Sequence, residues 1–400
     1  MSSAGRGAPL RILMVSSLWP PCVLGGAETY AADLAAHLQE AGHTVGVVTL
    51  GVDGPEVVGQ VAPHPYRLDE FAAQPRVRRA HFHLLDLYRP STGRTLTAAF
   101  RSFQPDVVHS HSVQGLSSKA LAVPRAAGIA HVHTIHDYWL LCQRASLVRR
   151  DQTACDTRCR SCRAVSALRN EVIRRSPPDV VLAVSHAVLA EHHDIGWLRD
   201  RARVVPNPVD PVRPPRRGPR QPPTFGYLGQ LTSVKGVRTL LAAFQEAGLP
   251  RGARLVVAGD GPLRGLVEAA PGPAVEYRGW LDGPGKEAFF ADVDCLVVPS
   301  EWRDPAPLVV NEARAHGVPV IGAAIGGIPE LASPGSRALL FPPGSAVALA
   351  ERLEAFAARP GEYTADDGTG LVSWAEHLDR VVGAYRDALA ANPADALEPR

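Results

Sequence analysis

Short, unbroken apolar runs, each leading through a glycine- or serine-bearing turn into a helical pattern, constrain this chain more than any other feature. LRILMVS (residues 10–16) is such a run. It lacks the wet face of an antiparallel edge and suits a parallel strand buried on both sides. It passes through LWPPCVLGGAE into a helix with apolar positions from about Tyr30 to Leu38. Strand, glycine turn, helix is the opening unit of a doubly wound α/β fold. Further strands are expected at 43–50, 106–109, 130–134 and 179–185, with helices near 96–103 and 117–127 and one opening at Ser185 as N-cap. RVVPNPVD is an extended strand broken by Pro206 and Pro208, and a Pro- and Arg-rich linker follows at 209–222. The pattern then restarts with TFGYLG, LVVAGDGPLRG, VEYRGW and CLVVPS. Two domains are expected, 1–208 and 223–370, with a last helix at 371–389. A chain of 400 residues is too long for one ordinary core and calls for such a split.

Within the second half, SEWRDPAPLVVNEARAHGVPVIGAAIGGIPEL (300–331) concentrates candidate chemistry. Pro305 and Pro307 forbid helix up to about that point, so Asp304 falls on a loop and Glu312 about one turn inside the helix. Between the two acids lie helix N-terminal N–H groups and a positive dipole end, which favour a phosphate. An acid, an amide cradle and a second acid suit a polyhydroxylated, phosphorylated ligand.

This acid-x7-acid spacing resembles family 4 of the retaining glycosyltransferases. The resemblance implies the GT-B fold, two Rossmann-like doubly wound domains facing across a cleft, and transfer of a sugar from a nucleotide diphosphate sugar, UDP- or GDP-linked, to a hydroxyl acceptor. It implies that Asp304, standing where Glu is usual, holds the transferred sugar, that Glu312 holds the ribose, and that backbone at Pro305, Ala306, Pro307 and Leu308 helps bind sugar and diphosphate. GGAE (Gly25, Gly26, Glu28) matches a loop that approaches the donor phosphates and the acceptor side. His136, in HTIHDYWLLC at the end of a strand, matches a His near the sugar, with Asp137 supporting it. Lys235, in QLTSVKG, fills the position of a Lys that neutralises the diphosphate; Gln230 stands where the family has Arg. Gly279 and Trp280 end a strand where the family's backbone contacts the base. The resemblance implies no dedicated general base and no catalytic metal. A nucleotide-sugar epimerase or phosphorylase of the same fold, and a non-catalytic nucleotide-sugar binding protein, are the alternatives.

The other motifs are weaker. Asp292-x-Asp294 runs into an apolar strand, so capping roles are expected over a metal site. Gly259-x-Gly261 lacks the full dinucleotide spacing. His109 and His111 read as structural. Cys142, Cys155, Cys159 and Cys162 end in one CxxC; structural zinc is the expectation, with free thiols or an iron–sulfur cluster as alternatives. Arg76, Arg78, Arg79, His81 and His83 group as a solvated face, the sharper alternative being contact with an acceptor or an anionic membrane. A net charge of +2 gives no electrostatic case for nucleic acid. With no signal-peptide pattern and no 18-residue apolar run, a cytoplasmic location is expected, peripheral to the inner membrane face at most. The acceptor is expected to be a hydroxylated small molecule, a lipid-linked molecule or a glycan.

Overall fold

The computed structural model describes residues 8–22, 25–63, 74–149, 151–155, 157–210, 212, 218, 220–270, 274–332, 339–363 and 370–392. Part of the expected linker and residues 393–400 lie outside this set. The chain divides into two compact units. The first comprises 1–146, 157–206 and 375–400, and the second 147–156 and 207–374.

The first unit holds β1 (Arg11–Val15), β2 (Thr44–Leu50), β3 (Val57–Val61), β4 (Val107–Ser110), β5 (Ala130–Ile135), β6 (Val180–Ala183) and β7 (Ala202–Val204). They form one seven-stranded sheet in the order β3-β2-β1-β4-β5-β6-β7. Every pairing in it is parallel. The second unit holds β8 (Thr224–Leu228), β9 (Arg254–Ala258), β10 (Val275–Tyr277), β11 (Cys295–Val298), β12 (Val320–Ala323) and β13 (Leu340–Phe341), ordered β10-β9-β8-β11-β12-β13 and again parallel. Both are doubly wound sheets whose order reverses once, between β1 and β4 and between β8 and β11. At such a switch point adjacent loops leave the strand ends in opposite directions and open a crevice.

The helices are α1 (Gly26–Glu40), α2 (Arg76–Leu87), α3 (Pro90–Phe103), α4 (Lys119–Ala126), α5 (Arg160–Arg174), α6 (His186–Glu191), α7 (Val237–Glu246), α8 (Arg264–Glu268), α9 (Gly283–Asp292), α10 (Leu308–Ala315), α11 (Ile328–Leu331), α12 (Ala346–Ala358) and α13 (Trp374–Ala391). They explain the continuous apolar runs. In β9, Leu255 and Val257 enter one core with Phe225, Leu240 and Phe356, while Val256 points to the other face among Phe289, Leu296 and Val310. A strand covered on both sides has no position left for a polar side chain.

The first sheet breaks that rule with histidines. His109, His131 and His133 are buried in β4 and β5 and hydrogen-bonded locally, His131 through its Nε2. His109 bonds the Tyr385 hydroxyl of α13 at 2.8 Å and Thr134 Oγ1 at 2.7 Å. Ser110 Oγ serves His131 Nε2 at 2.8 Å and His133 Nδ1 at 3.0 Å. Beyond the elements expected from sequence the chain forms β3 and α2, and α5, which begins after Cys159 and contains Cys162. Their cause is long-range. Asp86 of α2 and Arg169 of α5 form a buried ion pair of 2.9 Å, with Asp86 also accepting the indole N–H of Trp139 and the N–H of Gly115. The Arg169 guanidinium lies 3.8 Å over the Trp139 ring.

Burial, reinforced by neighbouring imidazoles, holds His109, His111 and His131 well below the ordinary histidine pKa. Burial also lowers His133 and His136 to about 3 and His192 and His377 to about 4. The unfolded chain therefore binds more protons than the native one from about pH 6.5 down to these values, so stability falls as pH falls through that window. Asp137, raised to about 7 by burial, and Asp179, also raised by burial, act in the opposite sense but are outnumbered by these histidines. Each excess proton is worth about 1.4 kcal/mol per pH unit. Urea unfolding at pH 7, 6 and 5 is expected to show a loss steeper than one proton per molecule accounts for. A stability unchanged from pH 7 to 5 would refute this reading of the histidine core.

Candidate active site

In the second unit the loops leaving β8 and β11, the two strands at the switch point, carry the residues singled out in sequence. After β8 the chain runs through Gly229 and Gln230 to a single 3-10 turn, Ser233–Lys235. The Gln230 loop is braced on the glycines of GDG. A Cβ on Gly259 would stand 1.8 Å from the Gly229 carbonyl oxygen, and one on Gly261 2.7 Å from that of Leu231. These glycines thus serve backbone packing, while Gln230 itself is exposed. Gly236 ends the turn at φ +74°, where an added Cβ would meet the Pro299 carbonyl oxygen at 1.8 Å. That close approach sets Lys235 against the start of the second loop.

There Lys235 Nζ donates to Asp304 Oδ2 at 2.5 Å, and the ammonium also lies 5.2 Å from the Trp302 ring centroid. Asp304 is only 6% exposed, so losing this partner would leave a buried charge unpaired. The expected roles of the two residues were separate, sugar for one and diphosphate for the other; here they hold each other. The Gly326–Gly327 turn after β12 presses on the same loop. Gly327 N–H donates to the Asp304 carbonyl at 2.8 Å. A Cβ at Gly326 would stand 2.3 Å from that carbonyl oxygen and one at Gly327 2.2 Å from the Pro305 carbonyl oxygen.

Pro307 is the N-cap of α10, so the helix begins at Leu308 and Glu312 lies in its second turn. Glu312 accepts from Lys286 Nζ of α9 at 2.8 Å. Sequence reasoning gave Lys286 no role. It also passed over Asn207 and Asn311: Asn311 Nδ2 donates to the Asn207 carbonyl at 3.1 Å, and Asn207 Nδ2 to the Ala306 carbonyl at 3.5 Å. A signal was present in the asparagine of PNP and in one buried in the apolar run of α10. Gly279 sits at φ +69° with its carbonyl accepting from Gly259 N–H at 2.7 Å, and Trp280 is 70% exposed beside it. Asp292 is engaged by Arg220 at 2.9 Å and by Arg278, and Asp294 accepts the N–H groups of Thr224 and Arg220.

In the first unit, Gly25 is the N-cap of α1 and its N–H donates to Glu28 Oε2 at 2.8 Å. Glu28, expected at the donor phosphates and acceptor, is buried and folded back on its own loop. His136 follows β5 directly. Its Nε2 is 3.2 Å from His111 Nδ1, and its ring centroid is 5.0 Å from that of Tyr30. His111, read as structural from sequence, is thus a direct partner of His136. Asp137 accepts Trp139 N–H at 2.7 Å; burial, with Glu28 adding to it, raises its carboxyl to about 7.

The family model described as Glycosyltransferase Family 4 matches residues 24–213, and that described as Glycosyl transferases group 1 matches 222–359. The chain belongs to the family 4 GT-B glycosyltransferases. It is 26% identical over 428 residues to D-inositol 3-phosphate glycosyltransferase 1 of Catenulispora acidiphila, covering 97% of this chain and 98% of that one. The sucrose-phosphate synthase structure from Thermosynechococcus elongatus superposes with TM-score 0.71 at 21% identity, covering 96% of this chain and all of that one. HepE of Anabaena in complex with UDP-glucose gives TM-score 0.61 at 18% identity, covering 96% and 97%.

Three of the four thiols expected to hold structural zinc, Cys142, Cys159 and Cys162, lie in the first unit. Cys142 and Cys162 stand 3.9 Å apart and Cys159 caps α5, accepting the Cys162 N–H at 3.4 Å. Cys155 falls in the segment assigned to the second unit. Among the described residues no group of three or more His, Cys, Asp or Glu is placed to hold a metal ion. Nor is any described helix long and apolar enough to cross a membrane. The glycine contacts give a direct test. Gly327→Ala forces the Pro305 backbone away and is expected to cost about 2 kcal/mol or more, seen as a Tm several degrees lower. An unchanged Tm would show that the 304–306 loop is not held by this turn.

Proposed function

We propose that this glycosyltransferase moves a sugar from a nucleotide diphosphate sugar, UDP- or GDP-linked, to a hydroxyl acceptor with retention at the anomeric carbon. The observation that supports this most is the meeting of Lys235 and Asp304 at the β8/β11 switch point, ahead of the N-terminus of α10. The UDP-glucose bound to HepE, a protein of the same fold, favours a uridine nucleotide.

In this reading the diphosphate takes Lys235 from Asp304. Its oxygens then face the ammonium, the N–H groups of Ala306 and Leu308, and the dipole of α10; Pro305 and Pro307 lend shape but no donor. Gln230 adds a neutral hydrogen bond where an arginine would add charge. Asp304, released, accepts sugar hydroxyls. Glu312, held by Lys286, accepts the ribose hydroxyls, and Trp280 offers its exposed face to the base beside Gly279. In the first unit, the Gly25–Gly26 loop and His136 serve the acceptor and a sugar hydroxyl.

The bond from C1 to the β-phosphate oxygen breaks, the bond from acceptor oxygen to C1 forms on the same face, and the acceptor proton ends on the departing phosphate. Charge stabilisation of that phosphate by Lys235 and the backbone dipoles is the main catalytic contribution. The scheme invokes no divalent metal; Asp292 and Asp294 are engaged by arginines and backbone amides.

The acceptor lies among hydroxylated small molecules, lipid-linked molecules and glycans, reached in the cytoplasm or at the inner face of the membrane. A thermal-shift screen against UDP, GDP, TDP and ADP and their sugars tests the donor assignment. A hundredfold excess over Kd adds about 2.7 kcal/mol, and the shift is expected to shrink in Glu312→Ala. The linkage formed with the active donor should carry the donor's own anomeric configuration. A wild type that no nucleotide stabilises, or an inverted product, would sink the reading.

A further inference from the structure

His111 Nδ1 and His136 Nε2 are 3.2 Å apart, so one of the two nitrogens carries the shared proton. The other end of His111 decides which. His111 Nε2 lies 3.3 Å from the sulfur of Met14, a fully buried residue of β1. A thioether accepts and never donates, so the stable arrangement places the His111 proton on Nε2. His111 is itself 1% exposed, and burial with its neighbouring imidazoles keeps it neutral. A neutral ring with Nε2–H presents a bare Nδ1. That lone pair in turn requires His136 to donate from Nε2. The opposite arrangement would set two lone pairs face to face at the buried sulfur.

The alternative partner near His136 is committed elsewhere. His377 Nδ1 is 3.0 Å from the Pro206 carbonyl, another acceptor that cannot donate. It therefore donates there, and its bare Nε2 accepts the Tyr30 hydroxyl proton at 2.7 Å. Tyr30 meets His136 through its ring, with centroids 5.0 Å apart.

We infer that Met14 and His111 form a relay that fixes His136 as the Nε2–H tautomer, leaving Nδ1 as the lone-pair acceptor offered to a ligand hydroxyl. His111 and Met14 are positioning residues, acting through His136. A histidine selected in this way recognises a group that donates a proton, such as a sugar hydroxyl, and disfavours one that only accepts, such as a ketone or ether oxygen at the same place. The inference concerns the ligand chemistry of His136 and rests on the reading that His136 meets a hydroxyl of the substrate.

The full-length protein labelled with ¹⁵N at histidine, with the rings assigned through His136→Asn and His111→Asn, gives the tautomers directly from two-bond ¹H–¹⁵N correlations. His136 is expected with Nε2 protonated and Nδ1 bare; a protonated Nδ1 in the wild type overturns the relay. Met14→Leu keeps the core volume and removes the sulfur acceptor. It is expected to shift the His136 tautomer ratio by about threefold to tenfold, the effect of one modest hydrogen bond. It should lower kcat while leaving UDP affinity unchanged. A Met14→Leu protein with an unshifted ratio also overturns the relay. Transfer unimpaired in His136→Ala, with the tautomer as expected, would instead reject the substrate role of His136 and leave the relay standing.

Discussion

A carboxylate as deeply buried as Asp304 must be paired or neutralised, and the geometry of the second unit is arranged to pair it. Strands β8 and β11 are adjacent and parallel, so the loops after them begin side by side although Lys235 and Asp304 are 69 residues apart. The glycines do the rest. Gly236 allows the lysine's turn to touch Pro299, Gly326 and Gly327 allow the next turn to touch Asp304 and Pro305, and Gly259 and Gly261 allow a third to touch Gly229 and Leu231. None of these contacts tolerates a Cβ. A polar site assembled from loops gains in this way the rigidity of backbone-on-backbone packing.

The first unit meets a different constraint. Its central strands carry imidazoles where a parallel sheet expects aliphatic side chains, and each is kept neutral by burial and oriented by a hydroxyl, a carbonyl or another ring. Neutral imidazoles can donate and accept at once, so they link His109, Thr134 and Tyr385 in one chain and His136, His111 and Met14 in another. The consequence is a core that is specific at neutral pH and intolerant of acid. The ion pair of Asp86 with Arg169 ties α2 and α5 together by the same logic, since breaking a buried pair leaves an uncompensated charge.

Much of this was legible in the sequence because it follows from local rules. LRILMVS, TFGYLG and CLVVPS announce doubly buried parallel strands, and Pro305 and Pro307 keep Asp304 off the helix. What was not legible depends on distance. Asp86 looks like one charge among many in RVRRAHFHLLDL until Arg169 meets it 83 residues later. The GDG turn lacks the full dinucleotide spacing, yet only the fold shows that it packs against the loop after β8. Lys286 carries no local sign that it will reach Glu312, and His111 differs from a plain core histidine only through its contact with His136.

The central claim is that Lys235 is shared between Asp304 and the donor diphosphate. Calorimetric titration of UDP, which lacks the sugar, into the wild type, Asp304→Asn and Lys235→Met proteins tests it most directly. If the lysine is shared, Asp304→Asn binds UDP at least as tightly as the wild type, because the competing carboxylate is gone. Lys235→Met then binds about tenfold more weakly or worse, the loss of one charge-assisted contact. UDP binding weakened equally by both substitutions, or by neither, would contradict the account.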